Sequence, residues 1–575
     1  MSVRFRPAHL VPLAAVLAAA LAASALPPAA AAADPAAPAR AARQMVATAN
    51  PHATRAGLDI LRAGGSAVDA AIAAQLVLNL VEPQSSGIGG GAFMLHYDAA
   101  SGRLDAYDGR ETAPASATPE MFLDDAGQPM DFWDAVIGGR SVGVPGLLRM
   151  LALAHRQHGR LPWARLFAPA IALSEEGFAV SPRLHHLIAE DEDLKDFPEA
   201  RRYFFDAEGR PLAVGAKLRN PAFAATLRRI AEGGADAFYR GAIAAEIAAT
   251  VQTAPRHPTD MTLADLAGYR AKARPPVCAP YRRWTVCGMP PPTSGGVAVL
   301  EILGLLERFD LSALAPESAE AVHLIAEASR LAFADRNRYL ADSDFVEVPV
   351  ARLLDRGYLA RRSRLIAPDK SLGVATPGLP TQNGAMPRQP QPPRTTHLVV
   401  VDAAGNAVSM TSSIESAFGS HLMAGGFLLN NELTDFSFEP LVDGRAVANR
   451  VAPGKRPRSS MSPTMVFDAD GKLVLAIGSP GGSRIIGYVV KTIIAVLDWG
   501  LDVQAAIALP NFVNRNGPTD LEADTPLTAL APALAARGEA VRIVPMVSGL
   551  HGIAVTPGGL EGGADPRREG VALGD

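Results

Sequence analysis

The sequence predicts an α+β fold in which β-sheets are covered by helices, and two observations support it. Residues 143–340 are mostly helical by their apolar period, for example over 295–307 and 317–340. The later chain contains hairpins instead, such as TMVFD and LVLAIGS on either side of the turn from Asp468 to Gly471. Helix-rich sequence followed by hairpins is typical of sheets that pack against helices.

The individual elements follow in chain order. The segment from Asp34 to about Arg43 is rich in alanine and proline and is predicted to be a disordered tether. Helices are predicted over 54–63 and 66–80, with Ser66 as the N-cap of the second. The runs AFMLHYD and RLDAYD, and later TTHLVVVD and NAVSMTSS, are predicted hairpin strands. An amphipathic helix is predicted over 483–497.

Length and composition limit the number of domains and the class of partner. The chain has 575 residues, of which 48% are hydrophobic and 19% charged, so it is globular and long enough for two to four domains. Its formal net charge of −4 argues against nucleic acid as a partner, because that role needs a basic face. Small acidic substrates remain compatible with this charge, since a site can be locally positive.

The N-terminus has the order of a secretory signal. Two arginines precede an apolar run over 10–26, and small residues follow, with A-x-A sites at 31–33 and 23–25. We therefore predict a signal peptide over 1–33 and an exported protein, periplasmic or secreted. An uncleaved anchor is the less favoured alternative, because the run is short for a membrane span, and no later segment reaches that length.

The chain contains two cysteines, Cys278 and Cys287, within PPVCAPYRRWTVCGMPPP. Two short β-prone runs flank a predicted turn at Pro280–Tyr281, so the cysteines can meet across a hairpin. In an exported protein a disulfide is favoured over two free thiols. Two cysteines alone make no metal site.

A proline-rich segment over 368–394 contains seven prolines and little apolar periodicity. A structureless stretch of this length is typical of a functional loop or a processing segment. It runs directly into Thr395, the first residue of a predicted strand. A threonine that opens a strand is usually structural, but cleavage before it would release an α-amine beside its own hydroxyl. An α-amine has a pKa of roughly 7.7–8.0, so it can accept the hydroxyl proton, and self-cleavage would use the same hydroxyl against the Arg394 carbonyl.

Several runs then point to a known family. PRTTHLVVVDAAGNAVSMTSS, GGFLLNNELTDFS, KRPRSSMSPTMVF and GSPGGSRII occur in that order, after GGSAVDAAIAAQLVLNLVEPQSSGIGGGAFMLHYD, YDGRETAPASATPEMFLD and MPPPTSGG. The sequence thereby resembles the γ-glutamyltransferases, which are N-terminal-nucleophile hydrolases. The resemblance implies a four-layer αββα sandwich formed jointly by a large fragment, 34–394, and a small fragment, 395–575. These two fragments of one precursor would form an interlocked heterodimer.

The resemblance also implies the catalytic residues. Thr395 would be the nucleophile, and Ser413 stands where the family has a hydroxyl that hydrogen-bonds it. The backbone N–H groups of Gly481 and Gly482 would form an oxyanion hole. Without the resemblance, these two glycines are better explained as a tight turn between a strand and a helix.

A zwitterion clamp for the substrate is implied as well. Arg110 would bind the α-carboxylate with help from Ser459 and Ser460, while Glu432 and Asp435 would hold the α-ammonium. Taken singly, these residues are more simply a solvated arginine, a serine turn and an acidic surface face. Together they explain selectivity for glutamyl groups.

Three positions depart from the family pattern. Glu415 stands where well-studied members have asparagine near the ammonium, so it would either strengthen amine binding or indicate a different acyl group. Thr434 replaces a common aspartate. The stretch over 438–454 is short for a loop that covers the pocket, and an open pocket would favour hydrolysis over transfer.

The implied activity is cleavage of γ-glutamyl amides such as glutathione through an acyl-threonine, resolved by water or by an amino-acid or dipeptide acceptor. Neither a metal nor an organic cofactor is implied. One alternative is a cephalosporin (glutaryl) acylase on the same scaffold, and another is an uncleaved γ-glutamyl-peptide-binding protein. The glycines over 87–91 precede a strand rather than a helix, which argues against dinucleotide binding.

Overall fold

Two seven-stranded antiparallel sheets lie face to face in this computed structural model, which describes residues 37–380, 384 and 394–575. We call them sheet I and sheet II. In spatial order, the strands of sheet I are Val571–Gly574, Met45–Thr48, Thr396–Val401, Ala407–Ser413, Gly91–Asp98, Arg103–Gly109 and Lys272–Arg274. Those of sheet II are Ala39–Ala41, Gly559–Ala564, His551–Thr556, Leu473–Gly478, Thr464–Phe467, Trp284–Gly288 and Val277–Tyr281.

Helices cover the outer face of each sheet. In the strand Thr396–Val401, Leu398 and Val400 belong to the apolar cluster that contains the helices Pro51–Arg62 and Ala67–Val81. The alternate residues, Val399 and Val401, instead join the cluster that contains sheet II. This period-2 alternation places helices on one face and the second sheet on the other. The predicted four-layer αββα architecture is confirmed.

The remaining elements surround these layers. The other α-helices are Phe132–Val136, Leu147–His158, Ala168–Glu176, Pro182–Glu190, Pro198–Phe204, Pro221–Gly233, Asp236–Tyr239, Ala242–Gln252, Leu263–Gly268, Gly295–Leu306, Ala319–Tyr339, Val350–Leu353, Arg356–Ser363, Ile485–Leu497, Val503–Ala508 and Ala531–Ala536. Smaller sheets pair Phe178–Ala179 with Lys217–Leu218, Met423–Ala424 with Phe427–Leu428, Leu441–Val442 with Arg445–Ala446, and Thr519–Glu522 with both Phe512–Asn514 and Val541–Val544.

Strands from before and after Thr395 are interleaved in both sheets. In sheet I, the strand Met45–Thr48 pairs on one side with Thr396–Val401 and on the other with Val571–Gly574. A strand of the predicted large fragment therefore lies between the first and last strands of the predicted small fragment. The two fragments share one core.

Most predicted elements are present. The helix Ala67–Val81 begins at Ser66, whose Oγ accepts a hydrogen bond from Asp69 N at 3.2 Å while the Asp69 carboxylate accepts one from Ser66 N at 2.9 Å. The preceding helix begins earlier than predicted, at Pro51, because Asn50 caps it and proline is favoured in the first turn.

The predicted tether from Asp34 to Arg43 is wrong where the structure describes it. Ala39–Ala41 is a strand at the edge of sheet II and pairs with Gly559–Ala564. Its alanine-rich sequence carries little strand signal, and the neighbouring strand provides the hydrogen bonds that hold it.

The predicted disulfide is confirmed, with Cys278 and Cys287 joined across a hairpin at an S–S distance of 2.06 Å. The turn lies at Arg282–Arg283, not at the predicted Pro280–Tyr281, which belongs to the strand Val277–Tyr281. Arg282 adopts a positive φ of 55° in this turn. Hairpin turns usually have glycine or asparagine at such a position, so an arginine there did not indicate a turn.

Two predicted segments fall largely outside the described residues. The signal peptide over 1–33 lies outside them completely, and the proline-rich linker is described only up to residue 380 and at 384 and 394. Within the described part of the chain, no helix combines the length and apolar character needed to cross a membrane.

Candidate active site

Thr395 directly precedes the strand Thr396–Val401 and is 3% exposed. Its hydroxyl contacts the carbonyl oxygen of Arg394 and lies 3.3 Å from Ser413 Oγ. The Thr395 carbonyl accepts a hydrogen bond from Arg568 Nη1 at 2.8 Å. The hydroxyl therefore lies beside the peptide bond that precedes it, and the backbone of Thr395 is held in place.

Strand pairing places Ser413 next to Thr395. Ser413 ends the strand Ala407–Ser413, in which Ser412 pairs with Thr396. Its Oγ also accepts a hydrogen bond from Glu415 N at 2.8 Å. A hydroxyl that accepts from this amide can donate its own proton to Thr395 Oγ1, which is the role predicted for it.

A cavity of about 20 Å³ opens at Thr395, and most of the predicted site residues line it, although Arg110 and Gly481 do not. It lies between the start of the strand Thr396–Val401 and the start of the helix Ile485–Leu497. Its lining consists of Arg394, Thr395, Ser413, Glu415, Glu432, Asp435, Ser459, Ser460, Met461, Gly482 and Ile485.

Gly481 and Gly482 form the turn from the strand Leu473–Gly478 to the helix Ile485–Leu497. Both have positive φ, 138° and 57°, and a Cβ on Gly481 would lie 2.7 Å from the Tyr488 ring. Glycine is therefore required here for backbone reasons alone. The same turn places Gly482 in the cavity wall at the positive end of a helix.

Arg110 is completely buried and is paired with both predicted ammonium-binding acids. Its Nη1 contacts the Glu432 carboxylate, and its Nη2 lies 2.5 Å from Asp435 Oδ2. Its Nε and Nη2 also donate to the carbonyls of Pro457 and Arg458, at 3.1 and 3.2 Å. The sequence predicts separate positive and negative groups, whereas the structure shows them in contact, because a buried guanidinium needs counter-charges.

The carboxyl groups around Arg110 have shifted pKa values. Burial raises the pKa of Glu432 to about 7, with Arg110 opposing the rise and Asp435 adding to it. Burial, together with the charges of Asp435 and Glu432, also raises the pKa of Glu415 well above its usual value. Burial lowers the pKa of Arg110, but Glu432 and Asp435 raise it by more, so the guanidinium stays charged.

Two asparagines hold the acidic turn Glu432–Asp435 in position. Asn430 Oδ1 accepts from Gly143 N at 2.9 Å and from Glu432 N at 3.0 Å, and its Nδ2 donates to the carbonyls of Gly89 and Gly143. Asn431 Nδ2 donates to Glu415 Oε2 at 2.7 Å. These buried amides connect the turn to Gly89, Gly143 and Glu415.

Ser459 and Ser460 also line the cavity and are themselves hydrogen-bonded. Ser459 Oγ accepts from Met461 N at 3.1 Å, and Ser460 Oγ accepts from Arg336 Nη2 at 2.6 Å. Arg336 Nε also donates to Ser294 Oγ at 2.8 Å. This second hydrogen bond fixes the Arg336 guanidinium next to Ser460.

Sequence reasoning did not identify Arg568 or Arg336 as parts of the site. Arg568 lies in GGADPRREGVALG, a run that also resembles the family's C-terminus, so its motif was visible but its contact with Thr395 was not. Arg336 lies within the predicted helix over 317–340, where a single arginine gives no signal of function.

Two groups of three side chains within the described residues have metal-ligand chemistry. His323, Glu327 and Glu539 are buried, and His323 donates or accepts at both ring nitrogens, to Glu539 at 2.5 Å and to the Ala367 carbonyl at 2.8 Å. In the second group, the rings of His96 and His158 are stacked 3.8 Å apart beside Asp105, and stacked rings cannot both point a nitrogen in-plane at one ion. Neither group fits a metal as it stands.

Stacked sheets between two helix layers, with a threonine at the start of a central strand, define the class of N-terminal-nucleophile hydrolases. A family model described as Gamma-glutamyltranspeptidase matches residues 53–575. The chain belongs to the γ-glutamyltranspeptidase family.

Known relatives match nearly the full length of the chain. The glutathione hydrolase proenzyme of Escherichia coli (strain K12) is 39% identical over 548 residues, covering 92% of this chain and 91% of the relative. The acylase ACY 1 proenzyme of Pseudomonas sp. (strain SE83) is 38% identical over 546 residues, covering 93% and 94%. The solved structure of cephalosporin acylase from Bacillus halodurans superposes with a TM-score of 0.83 at 30% identity, covering 96% and 99%.

The role of Asn430 leads to a stability prediction. Asn430→Ala removes four hydrogen bonds and leaves Gly143 N–H and the Gly89 carbonyl buried without this partner, so we expect a loss of about 3 kcal/mol in unfolding free energy. Urea denaturation of uncut protein measures it. Asn337→Ala, which removes a single bond from the half-buried Asn337, is the control and should cost about 1 kcal/mol or less. Equal losses in both variants would contradict the assigned role.

Proposed function

We propose that the chain is a self-processing γ-glutamyltransferase and glutathione hydrolase in which Thr395 is the nucleophile. The observation that carries the proposal is the contact between the Thr395 hydroxyl and the Arg394 carbonyl, at a cavity whose wall also contains Glu432, Asp435, Ser459 and Ser460. Glutathione hydrolase proenzymes among its relatives support the same reaction.

Processing would use the contact already formed. Thr395 Oγ1 attacks the Arg394 carbonyl carbon, the C–N bond between the two residues breaks, and the acyl group moves to the oxygen as an ester. Water then hydrolyses that ester. The products are an Arg394 carboxylate, a free Thr395 hydroxyl and a free Thr395 α-amine.

Turnover repeats this chemistry on a substrate. The α-amine accepts the proton of the Thr395 hydroxyl as Oγ1 attacks the γ-carbonyl, and the proton passes to the leaving amine. The backbone N–H groups of Gly481 and Gly482 would stabilise the tetrahedral oxyanion. Water or an amino-acid or dipeptide acceptor resolves the acyl-enzyme.

Binding the glutamyl group would exchange partners within the buried charge cluster. The substrate α-carboxylate takes a place at Arg110, next to Ser459 and Ser460, and the α-ammonium takes the carboxylates of Glu432 and Asp435. Every charge then keeps a counter-charge, so the cost of breaking the internal pairs is offset. A substrate with only one of the two charges leaves a buried group unpaired.

Export and two-fragment assembly belong to the same proposal. The Cys278–Cys287 disulfide suits an oxidising compartment such as the periplasm. The interleaved strands of sheet I would keep the fragments together after the Arg394–Thr395 bond is cut.

The role of Thr395 as nucleophile can be tested by substitution. Thr395→Ala should stay a single full-length chain on a denaturing gel and lose about 10⁴-fold or more in glutamate release, because hydroxyl and α-amine are both absent. Thr395→Ser keeps both groups and should yield two fragments. N-terminal sequencing of the smaller wild-type fragment should begin Thr-Thr-His. A natively folded wild-type protein that remains one chain would contradict the proposal: if it is active, the mechanism is a different one, and if it is inactive, a binding role is supported.

A glutaryl acylase is the second candidate, because a solved cephalosporin acylase superposes over 96% of this chain. The donors γ-glutamyl-p-nitroanilide and glutaryl-p-nitroanilide differ only in the α-amino group. We expect kcat/KM to be about a hundredfold lower for the glutaryl donor, since it leaves Glu432 and Asp435 without a cation. Equal or faster turnover of the glutaryl donor would show that the enzyme is a glutaryl acylase instead.

The raised pKa of Glu432 predicts a pH dependence of binding. Below its pKa of about 7 the carboxyl group is neutral and attracts the ammonium weakly, so L-glutamate should bind more tightly as pH rises through about 7 and level off above it. Dissociation constants for the cleaved enzyme at pH 6 and pH 8 should differ by up to about tenfold. Glu432→Gln should remove this step, and the neighbouring Glu415→Gln should retain it. The same step in Glu432→Gln would refute the assignment.

A further inference from the structure

Two buried arginines on the helix Ala319–Tyr339 differ in what neutralises their charge. Arg330 is 1% exposed and forms an ion pair with Glu327 at 2.9 Å. Arg336, later on the same helix, is 3% exposed and has no ion pair among the residues that the structure describes. A buried cation without a carboxylate is costly, so a ligand that supplies one can bind there favourably.

The hydrogen bonds of Arg336 within the described chain all go to neutral oxygens. Its Nε donates to Ser294 Oγ at 2.8 Å, its Nη1 to Asn337 Oδ1 at 2.9 Å and its Nη2 to Ser460 Oγ at 2.6 Å. These contacts hold the guanidinium in one orientation without neutralising it. Because Ser460 lines the active-site cavity, the charge of Arg336 lies directly behind the cavity wall.

The surroundings of Arg336 favour an anion on the cavity side. Burial and the charge of Arg458 lower the pKa of Arg336, Asp435 opposes them, and Arg515 lowers the pKa further. The cationic form is thus held at a cost in free energy. An anion next to Ser460 would reduce that cost, because opposite charges attract more strongly where water is excluded.

Ser460 can transmit this charge to a ligand in the cavity. A serine hydroxyl has one proton to donate and lone pairs that accept. Ser460 Oγ accepts from Arg336 Nη2, and Ser459 Oγ accepts from Met461 N. Neither hydroxyl proton has an acceptor in the part of the chain that the structure describes, so both can be donated to a carboxylate. A hydroxyl that accepts from a guanidinium is also the stronger donor, since hydrogen bonds in a chain strengthen one another.

Arg110, to which the proposed function assigns the α-carboxylate, lies in a different electrostatic environment. Glu432 and Asp435 already contact its guanidinium. A carboxylate that approaches Arg110 must compete with these two acids, whereas one that approaches Ser460 meets a guanidinium that no carboxylate contacts. Arg110 alone therefore gives an incomplete account of how the α-carboxylate is attracted.

We propose that Arg336 is a positioning residue for the donor substrate: it orients the Ser460 hydroxyl and supplies, through it, positive charge that selects donors with an α-carboxylate. This inference rests on the proposed function. It adds to the clamp a specificity determinant that lies behind the cavity wall.

The test compares two donors that differ only in the α-carboxylate, γ-glutamyl-p-nitroanilide and 4-aminobutanoyl-p-nitroanilide. Release of p-nitroaniline by the cleaved enzyme gives kcat/KM for each, and the ratio of the two values measures selection for the α-carboxylate. Arg336→Gln should lower this ratio about tenfold, mainly through a higher KM for the glutamyl donor, with kcat changed less than about threefold. Arg336→Lys keeps a positive charge and should recover part of the ratio.

Matched variants locate the effect. Arg330→Gln removes an equally buried arginine from the same helix and should keep the wild-type ratio, whatever it does to stability. Combining Arg336→Gln with Ser460→Ala should lower the ratio no more than the larger single effect, because both changes interrupt one chain of hydrogen bonds.

A pair of serine variants decides if Arg336→Gln does not fold or is not cleaved. Ser459→Ala and Ser460→Ala each remove one hydroxyl from the cavity wall, but only Ser460 contacts Arg336. Ser460→Ala should lower the ratio at least about threefold more than Ser459→Ala. Equal losses in the two serine variants would overturn the inference.

The other outcomes separate this inference from the proposed function. If Arg336→Gln slows both donors equally, its role is structural, and if it leaves the ratio unchanged or adds fully to Ser460→Ala, it does not act through that hydroxyl. Each of these results would overturn the inference alone. Absence of γ-glutamyl-p-nitroanilide turnover by the cleaved wild-type enzyme would overturn the proposed function and this inference with it.

Discussion

The pairing of the strand Thr396–Val401 on both sides is the constraint on which the rest of the structure depends. Hydrogen bonds to Met45–Thr48 and to Ala407–Ser413 hold this strand in the middle of sheet I. A peptide bond can therefore be cut directly before it without releasing the new terminus. The same pairing sets the 3.3 Å distance between the hydroxyls of Thr395 and Ser413. The fold and the geometry of the proposed nucleophile thus have one origin.

Electrostatics provides the second constraint. Arg110 is 0% exposed, and a buried guanidinium is tolerated only when carboxylates and carbonyls surround it. The carboxylates that neutralise it are those expected to bind the ammonium. An internal ion pair of this kind keeps a charged pocket stable without substrate, and it favours ligands that replace both of its halves. The raised pKa of Glu432 is the measurable sign of that balance.

Much of this fold was predictable from sequence, where local signals agree with the tertiary structure. Ser66 with Asp69 forms a visible capping box, and the alternating run TTHLVVVD gives a buried strand. Ala39–Ala41 was missed because partner strands, not its own side chains, determine its conformation. The turn at Arg282 was misplaced because it lacks the residues that favour a positive φ.

In the candidate site, too, some features could be predicted from the sequence and others could not. Motif order located Thr395, the glycine turn and the clamp, because these lie in contiguous runs of characteristic residues. The contacts of Arg110 with Glu432 and of Arg568 with Thr395 could not be predicted, because the motifs do not show which residues of distant segments lie close in space.

The position of Met45–Thr48 between the first and last strands of the other fragment has a consequence for biogenesis. Separating the fragments requires both flanking ladders to break, so subunit exchange between molecules would demand extensive unfolding. Halves produced from separate genes would each lack the neighbours that their strands need. A heterodimer cut before Thr395, as we propose, is thus best assembled as one polypeptide and divided only afterwards, which makes the order of folding and scission a property of the topology.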